Sequence, residues 1–370
     1  MNDNNFTLKS KQKSIHVVPI KQTDIERQRN INYVQTLTII NDKQDISSYL
    51  RQQENRIMIE LKNLLEYLDT HKDIILDKNN QYKHIRIPKK KGGYREIVDP
   101  SPILKEIQRR IKNFLENTLL LHPHNAAHAY IKQRDILTNA NIHKSSKMFL
   151  TLDIHNFFGS ITKETLLKEL RKLNNIMYFE NKLPFLEQII EPCLLDGVLP
   201  QGSPTSPTLS NLIMIEFDET VSRYLDTNHL KYTRYADDIF ISGDIIEKPK
   251  AIQIAVQNKL NIISTDLVLN EEKTKILRPG KCYITGIKIN KDNNLTFGHE
   301  QKSCLKHKIY NLFVQDLNGE CVREEVQEIL GLFSYAHRIE PAYFNYIEKK
   351  YLKQFNSKEY TLVNHFKKYL

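Results

Sequence analysis

In the stretch KYTRYADDIF, residues 231–240, Asp237 and Asp238 stand side by side between two runs of strand-forming residues. Two carboxylates ~4 Å apart repel by about 4 kcal/mol at an effective dielectric of ~20. Such a pair needs water around it or a cation against it. A solvated hairpin turn meets the first need, because Asp is common in turns and exposed side chains can point apart. A divalent metal meets the second, since Mg²⁺ is held by one or two protein carboxylates and completes its octahedron with water and substrate phosphates. A third carboxylate and a phosphate-handling surface would separate the two readings.

The third carboxylate is available in MFLTLDIHNFFGSI, residues 148–161, where a hydrophobic run ends in Asp153. Strand alternation puts Phe149, Thr151 and Asp153 on one face and Leu150, Leu152 and Ile154 on the other, so a buried strand leads an acid to its exposed end. An Asp in that place also serves as an ordinary turn or helix-cap residue. Further along, LPQGSPTSPTLSNL (Leu199 to Leu212) has the composition of a loop. In it Gln201 and Gly202 precede a predicted helix, a placement that lets backbone amides and a side-chain amide approach a ligand closely.

These residues need elements to hold them. The chain has 370 residues, enough for two or three packed units. Its 54 Lys and Arg against 44 Asp and Glu give a net charge of +10 and a pI near 9.1, which suits a polyanionic partner and equally suits general solubility. Cys193, Cys282, Cys304 and Cys321 are scattered without a C-x-x-C pair and read as reduced thiols. No apolar run reaches membrane-spanning length and the first residues are polar, so the expectation is a soluble, cytoplasmic protein.

Residues 1–44 read as a polar extension in which only IHVVPI and YVQTLTII look strand-like. A helix is predicted over 46–68, then two short strands in YKHIRIPKKKGGYREIVDP around a basic, glycine-containing turn. Ser101 and Pro102 form a cap and first turn for a helix carrying Ile103, Ile107, Ile111, Phe114 and Leu115. Helices are predicted over 162–173, 207–224 and 249–265, strands in KCYITGIKIN and NLTFG, and helix from about 299 onward with Val326, Ile329, Leu330 and Phe333 as its apolar stripe. Helices mixed with antiparallel strands make an α+β protein.

In combination the motifs resemble the palm of reverse transcriptases. Asp153 matches the first catalytic motif, PQGSPTSP the second, YADD the third and LNEEKT (Leu269 to Thr274) the fourth, while KKKGGYREI matches the fingers motif. All fall in the family's order, across roughly residues 80–290. The resemblance implies a right-hand polymerase fold: an extension at 1–44, fingers and palm over 45–298, and a helical, RNA-binding thumb over 299–370. It implies RNA-directed DNA synthesis with two Mg²⁺ ions held by Asp153, Asp237, Asp238 and the Ile154 carbonyl. Lys91 or a neighbour among Lys89 and Lys90, together with Arg95, would grip the deoxynucleoside triphosphate, with Gln201 and Gly202 also at the nucleotide. Phe158 would gate the sugar 2′-position, with Phe157 in the core, and Lys273 would serve as general acid. Because Ala236-Asp237 is not a favoured two-residue turn pair, strain is expected at the hairpin tip.

TNANIH holds N-A-x-x-H at Asn139, Ala140 and His143, and YITGIKIN holds Thr285-Gly286 where retron reverse transcriptases carry Val-Thr-Gly, with Ile284 replacing the valine. Among reverse transcriptases the chain therefore resembles the bacterial retron enzymes. That resemblance implies a cognate structured non-coding RNA positioned by Asn139, His143, Thr285 and Gly286. It also implies priming from an internal guanosine 2′-hydroxyl, a branched RNA–DNA product (msDNA), and anti-phage defence with an effector protein. Other defence-associated reverse transcriptases, and a palm-fold RNA scaffold restraining a toxic effector, remain the alternatives. Group II intron maturases resemble it less, because no maturase or zinc-nuclease region follows the expected thumb.

Overall fold

The computed structural model describes residues 43–88, 92–118, 121–176 and 184–370. The strands expected in IHVVPI and YVQTLTII lie outside the described residues, as do Lys89, Lys90 and Lys91. The chain packs as two compact units. The first takes the segment up to His122 together with Leu166–Leu212, and the second takes Pro123–Thr165 together with Ile213–Leu370.

In the first unit, helix α1 (Lys43–Thr70) buries Leu61, Leu64 and Leu68, one stripe at helical spacing. Strands β1 (Tyr82–Pro88) and β2 (Tyr94–Pro100) form an antiparallel ribbon with Tyr82 opposite Pro100 and Pro88 opposite Tyr94. Only its base is anchored, where Tyr82 and Val98 pack on Leu104, and its outer half is exposed. Helix α2 (Pro102–Asn113) starts as its sequence dictates: Ser101 Oγ accepts the Leu104 amide at 3.3 Å and Pro102 takes the first turn. Leu104, Ile107 and Ile111 face inward beside a buried polar residue, Gln108, whose Nε2 donates to the Tyr82 hydroxyl and the Pro192 carbonyl. The buried amide ties the base of the ribbon to the helix.

The second unit is built on a four-stranded antiparallel sheet in the order β4-β5-β3-β6, with β3 Met148–Asp153, β4 Lys231–Tyr235, β5 Asp238–Gly243 and β6 Lys275–Leu277. Phe149, Leu150 and Leu152 of β3 are all buried, so the central strand is covered on both faces. Helix α3 (Ile136–His143) packs on β4 and β5, α4 (Ile215–Asp226) packs on β4, and α5 (Pro249–Ile263) packs on α4. A small sheet of β7 (Cys282–Ile284), β8 (Ile287–Ile289) and β9 (Leu295–Thr296) shares a core with Ala140, Phe149 and Phe240. Helices α6 (His299–Asn318), α7 (Arg323–Ile339) and α8 (Pro341–Gln354) close around Leu305, Ile309, Phe313 and the expected stripe Val326, Ile329, Leu330 and Phe333.

The architecture is α+β, as its pattern of elements predicts. One expected helix differs. The stretch expected as 207–224 is two helices, Ser206–Ile213 and Ile215–Asp226, separated at Met214, whose ψ of 2° leaves the helical region. Met214 is itself buried and apolar, so the break leaves no mark on the hydrophobic period. All four cysteines are free thiols. Among the described residues no helix is long and apolar enough to cross a membrane.

Candidate active site

Asp153 is the last residue of β3 and Asp238 the first of β5, and the two are directly opposite in the antiparallel register. The Ile154 amide donates to the Asp237 carbonyl at 3.0 Å, which makes Asp153 and Asp238 a non-hydrogen-bonded pair, the kind in which facing side chains come closest. Asp237 completes the two-residue turn between β4 and β5, in which Tyr235 pairs with Asp238. Three carboxylates are thus gathered where two strand ends meet. Asp238 records the consequence: burial, then the charges of Asp237 and Asp153, push its carboxyl up to about 7.

A fourth segment supplies positive charge. Asn270 N–H donates to the Asp153 carbonyl at 2.7 Å and His155 N–H to the Val268 carbonyl at 2.8 Å, so LNEEKT is strapped to the end of β3. That strap brings Lys273 Nζ to 2.8 and 3.0 Å from the two oxygens of Asp153. Hard carboxylate oxygens in this number suit Mg²⁺. Among the described residues no three His, Cys, Asp or Glu side chains already converge on one cation position, and the Lys273 ammonium balances Asp153 in their stead.

The turn carries the expected strain at its first residue: Ala236 has φ +57°, in the left-handed region. Beneath it lies a polar group that the sequence reading missed. Arg234 is fully buried, its Nε and Nη2 donate to the two oxygens of Asp218 at 2.8 and 2.7 Å, and its Nη1 donates to the Ala236 carbonyl at 3.1 Å. The Tyr232 hydroxyl donates to the same Asp218 at 2.6 Å. A signal was present, because Asp218 interrupts an inward stripe of Ile215, Val221 and Leu225 on α4.

The other expected site residues fall as follows. Phe157 is buried, as expected, while Phe158 is half-buried in a tight turn five residues past Asp153, with the two rings 5.6 Å apart. Arg95 lies exposed on β2 next to the turn of the ribbon, and Lys91 lies outside the described residues. Gln201 is half-buried and its carbonyl accepts the Val98 amide at 2.8 Å. Gly202 has φ +121° and a Cβ there would stand 2.0 Å from the Val98 carbonyl oxygen. The close approach that requires this glycine is therefore to β2, whereas the sequence reading had expected a ligand there.

Asn139 and His143 require a correction as RNA contacts. Both are fully buried. His143 is held by two hydroxyls, Ser242 Oγ at 2.7 Å from Nδ1 and Thr233 Oγ1 at 2.8 Å from Nε2, and Asn139 lies on the same inner face with neither amide atom hydrogen-bonded. His143 ties α3 to β4 and β5, and neither side chain reaches a surface. Thr285 and Gly286 form the two-residue turn of the β7–β8 hairpin, with φ of +47° and +88°, and Thr285 Oγ1 donates to the Ile136 carbonyl at 3.3 Å. Gly286 is exposed at the tip.

The family profile described as reverse transcriptase (RNA-dependent DNA polymerase) matches residues 87–304, which contain all three acids. Retron Ec83 reverse transcriptase of Escherichia coli is 34% identical over 282 residues, 73% of this chain and 86% of that one. The chain belongs to the retron-type reverse transcriptases. Retron Ec73 reverse transcriptase of Escherichia coli is 31% identical, covering 72% of this chain and 86% of its own length. Retron Ec86 reverse transcriptase of the same organism is 29% identical, covering 86% and 92%. Among solved structures, telomerase from Candida albicans aligns with 78% of this chain and 63% of its own at 14% identity, with a TM-score of 0.41. This reverse transcriptase is an RNA-directed DNA polymerase, and the acids at the strand ends are where its sequence and its geometry coincide.

Proposed function

We propose that this reverse transcriptase uses two Mg²⁺ ions to copy part of a dedicated structured non-coding RNA into DNA. In this reading synthesis starts from an internal guanosine 2′-hydroxyl, the product is branched RNA–DNA (msDNA), and the system acts in anti-phage defence together with an effector protein. The observation that supports the chemistry is the gathering of Asp153, Asp237 and Asp238 at one pair of strand ends. Priming, defence and the effector rest on the resemblance to retron enzymes.

Asp153, Asp237 and Asp238, with the Ile154 carbonyl, would hold the ions. When bound, such ions lower the pKa of the attacking hydroxyl and neutralise charge on the triphosphate. Lys273, whose ammonium lies on Asp153, would hand a proton to the departing pyrophosphate. Arg95 would offer a planar, permanently charged fork to phosphate oxygens, Lys91 a compact point charge, and Gln201 and Gly202 a polar edge to the nucleotide. Phe158 would exclude a ribose 2′-hydroxyl, and the Thr285-Gly286 tip, with Gly286 exposed, would meet the RNA.

Primer extension with Mg²⁺ tests the chemistry. Asp237→Ala should lower synthesis at least a thousandfold, ~4 kcal/mol of barrier, while RNA binding stays near wild type. Synthesis near the wild-type rate would refute the site. The nucleic acid that copurifies tests the priming: DNA that separates from RNA only after debranching supports the retron reading, and DNA released by denaturation alone opposes it.

A further inference from the structure

A buried ion pair is a poor source of stability, because apolar side chains of similar volume often do as well or better once desolvation is counted. Asp218 and Arg234 are nonetheless both fully buried, and the carboxylate keeps the guanidinium charged against the burial that opposes it. What an apolar pair cannot do is bind the Ala236 carbonyl. Arg234 spends two donors on Asp218 and turns a third, Nη1, to that carbonyl, at the residue whose left-handed conformation costs energy that its surroundings must supply.

The rest of the neighbourhood braces the arginine. Arg234 N–H donates to the Ala126 carbonyl and His128 N–H to the Arg234 carbonyl, both at 2.8 Å. The segment they belong to is gathered in turn by Arg134 Nη1, which donates to the carbonyls of His124, Asn125 and Ala127 at 2.9, 3.2 and 2.7 Å. On the other side of the turn the Asp237 carbonyl is fixed by Ile154 N–H. Both turn residues are therefore held by their carbonyls, one from α4 through Arg234 and one from β3.

We propose that Asp218 and Arg234 are positioning residues for catalysis: they hold the Ala236-Asp237 turn and so set where the Asp237 carboxylate stands beside Asp153 and Asp238. This rests on the reading of those three acids as the cation site. A lysine at 234 has a compact charge without the fork, and cannot serve two carboxylate oxygens and a carbonyl in one plane.

The test uses the full chain, with Mn²⁺ binding followed by electron paramagnetic resonance, steady-state nucleotide incorporation and thermal unfolding. Arg234→Lys should weaken Mn²⁺ binding about tenfold or more and lower kcat about a hundredfold, with KM for deoxynucleotide changed less than about threefold. The apolar pair Asp218→Leu with Arg234→Met should regain wild-type thermal stability but neither kcat nor Mn²⁺ affinity. Adding Ala236→Gly to Arg234→Lys should restore at least about tenfold of kcat, because glycine takes a left-handed conformation without a holding contact.

Wild-type Mn²⁺ binding and kcat in Arg234→Lys would overturn the proposal, and so would their recovery in the apolar pair. If that pair does not fold, Arg234→Lys with and without the glycine decides. An impaired Arg234→Lys that glycine does not restore overturns the turn as the route. Should Asp237→Ala itself polymerise like wild type, the reading of the acids fails. Should it be dead while Arg234→Lys is normal, only the positioning role fails.

Discussion

At the proposed cation site, Asp238 would make divalent binding a proton-coupled event. Its carboxyl is pushed up to about 7 by burial, Asp237 and Asp153, so at neutral pH a cation entering among the acids must expel a fraction of a proton. Mg²⁺ affinity should fall as pH drops below 7. Calorimetric titration in buffers of different ionisation enthalpy should show the released proton, and Asp238→Asn should abolish it. The sign for stability is opposite to that of a salt-bridged carboxylate. The folded state holds this proton up to about 7 and the unfolded chain only to 3.8, so the metal-free protein loses stability as pH rises between those values. Added Mg²⁺ should therefore raise the Tm more at pH 8 than at pH 5. Phe158, half-buried past the end of β3, carries a second residue-scale prediction. Phe158→Val should raise the kcat/KM ratio for ribonucleotide over deoxynucleotide, and an unchanged ratio would make it a packing residue. Asp237, Asp238 and the strain at Ala236 were legible because adjacent like charges and a turn without Gly or Asn are local anomalies, whereas Asp153 stood out only through the order of the motifs. Arg234 was not, since a strand sequence does not say that one of its charges points inward.

Helix α3 inverts the usual pattern, and this explains why its motif was misread. It buries Asn139 and His143 while leaving Ile142 exposed at 37%, so a polar face at helical spacing looks like a surface when it is the packed side. Burial, and then the charges of Lys231 and His128, lower the His143 pKa to about 3, so the ring is neutral in the fold. The unfolded chain protonates this histidine below about 6.5 and the folded one only near 3. Stability should thus decline as pH falls from about 6.5, and the lowered pKa of His128, about 4, acts in the same direction. His143→Ala removes a buried ring and its bonds to Thr233 and Ser242, which should cost on the order of 2–4 kcal/mol in urea unfolding. It should reduce self-primed synthesis and extension of a generic annealed primer in equal proportion. A selective loss of the first would restore an RNA role to this helix.

Across the whole molecule, Asp316 on α6 fastens the C-terminal residues: His365 Nε2 is 3.1 Å away, Lys368 Nζ and the Tyr369 hydroxyl are both at 2.7 Å, and Arg323 donates to the Leu370 carbonyl. Burial opposes its ionisation, but the hydrogen bonds from Lys368 and Tyr369 prevail and hold the carboxyl below its usual value. The stability it contributes is present above the ordinary carboxylate pKa and is lost as pH falls through the lowered one. Asp316→Asn should free residues 362–370 for limited proteolysis at neutral pH without altering divalent binding. The order of the motifs along the chain was legible, but the composition of the two units was not. Joining Leu166–Leu212 to the residues before His122 depends on contacts between distant segments, which leave no local trace. The same interleaving governs how the sheet is born. Strand β3 is completed at Asp153, yet its partners β5 and β6 begin at Asp238 and Lys275, roughly 85 and 120 residues later. At ~5–20 residues per second of synthesis, the apolar MFLTL segment waits several seconds or more for either neighbour. During translation the strand that bears the first acid is thus an unpaired, sticky edge, and a nascent chain stalled before Gly243 should be found with chaperones or in aggregates.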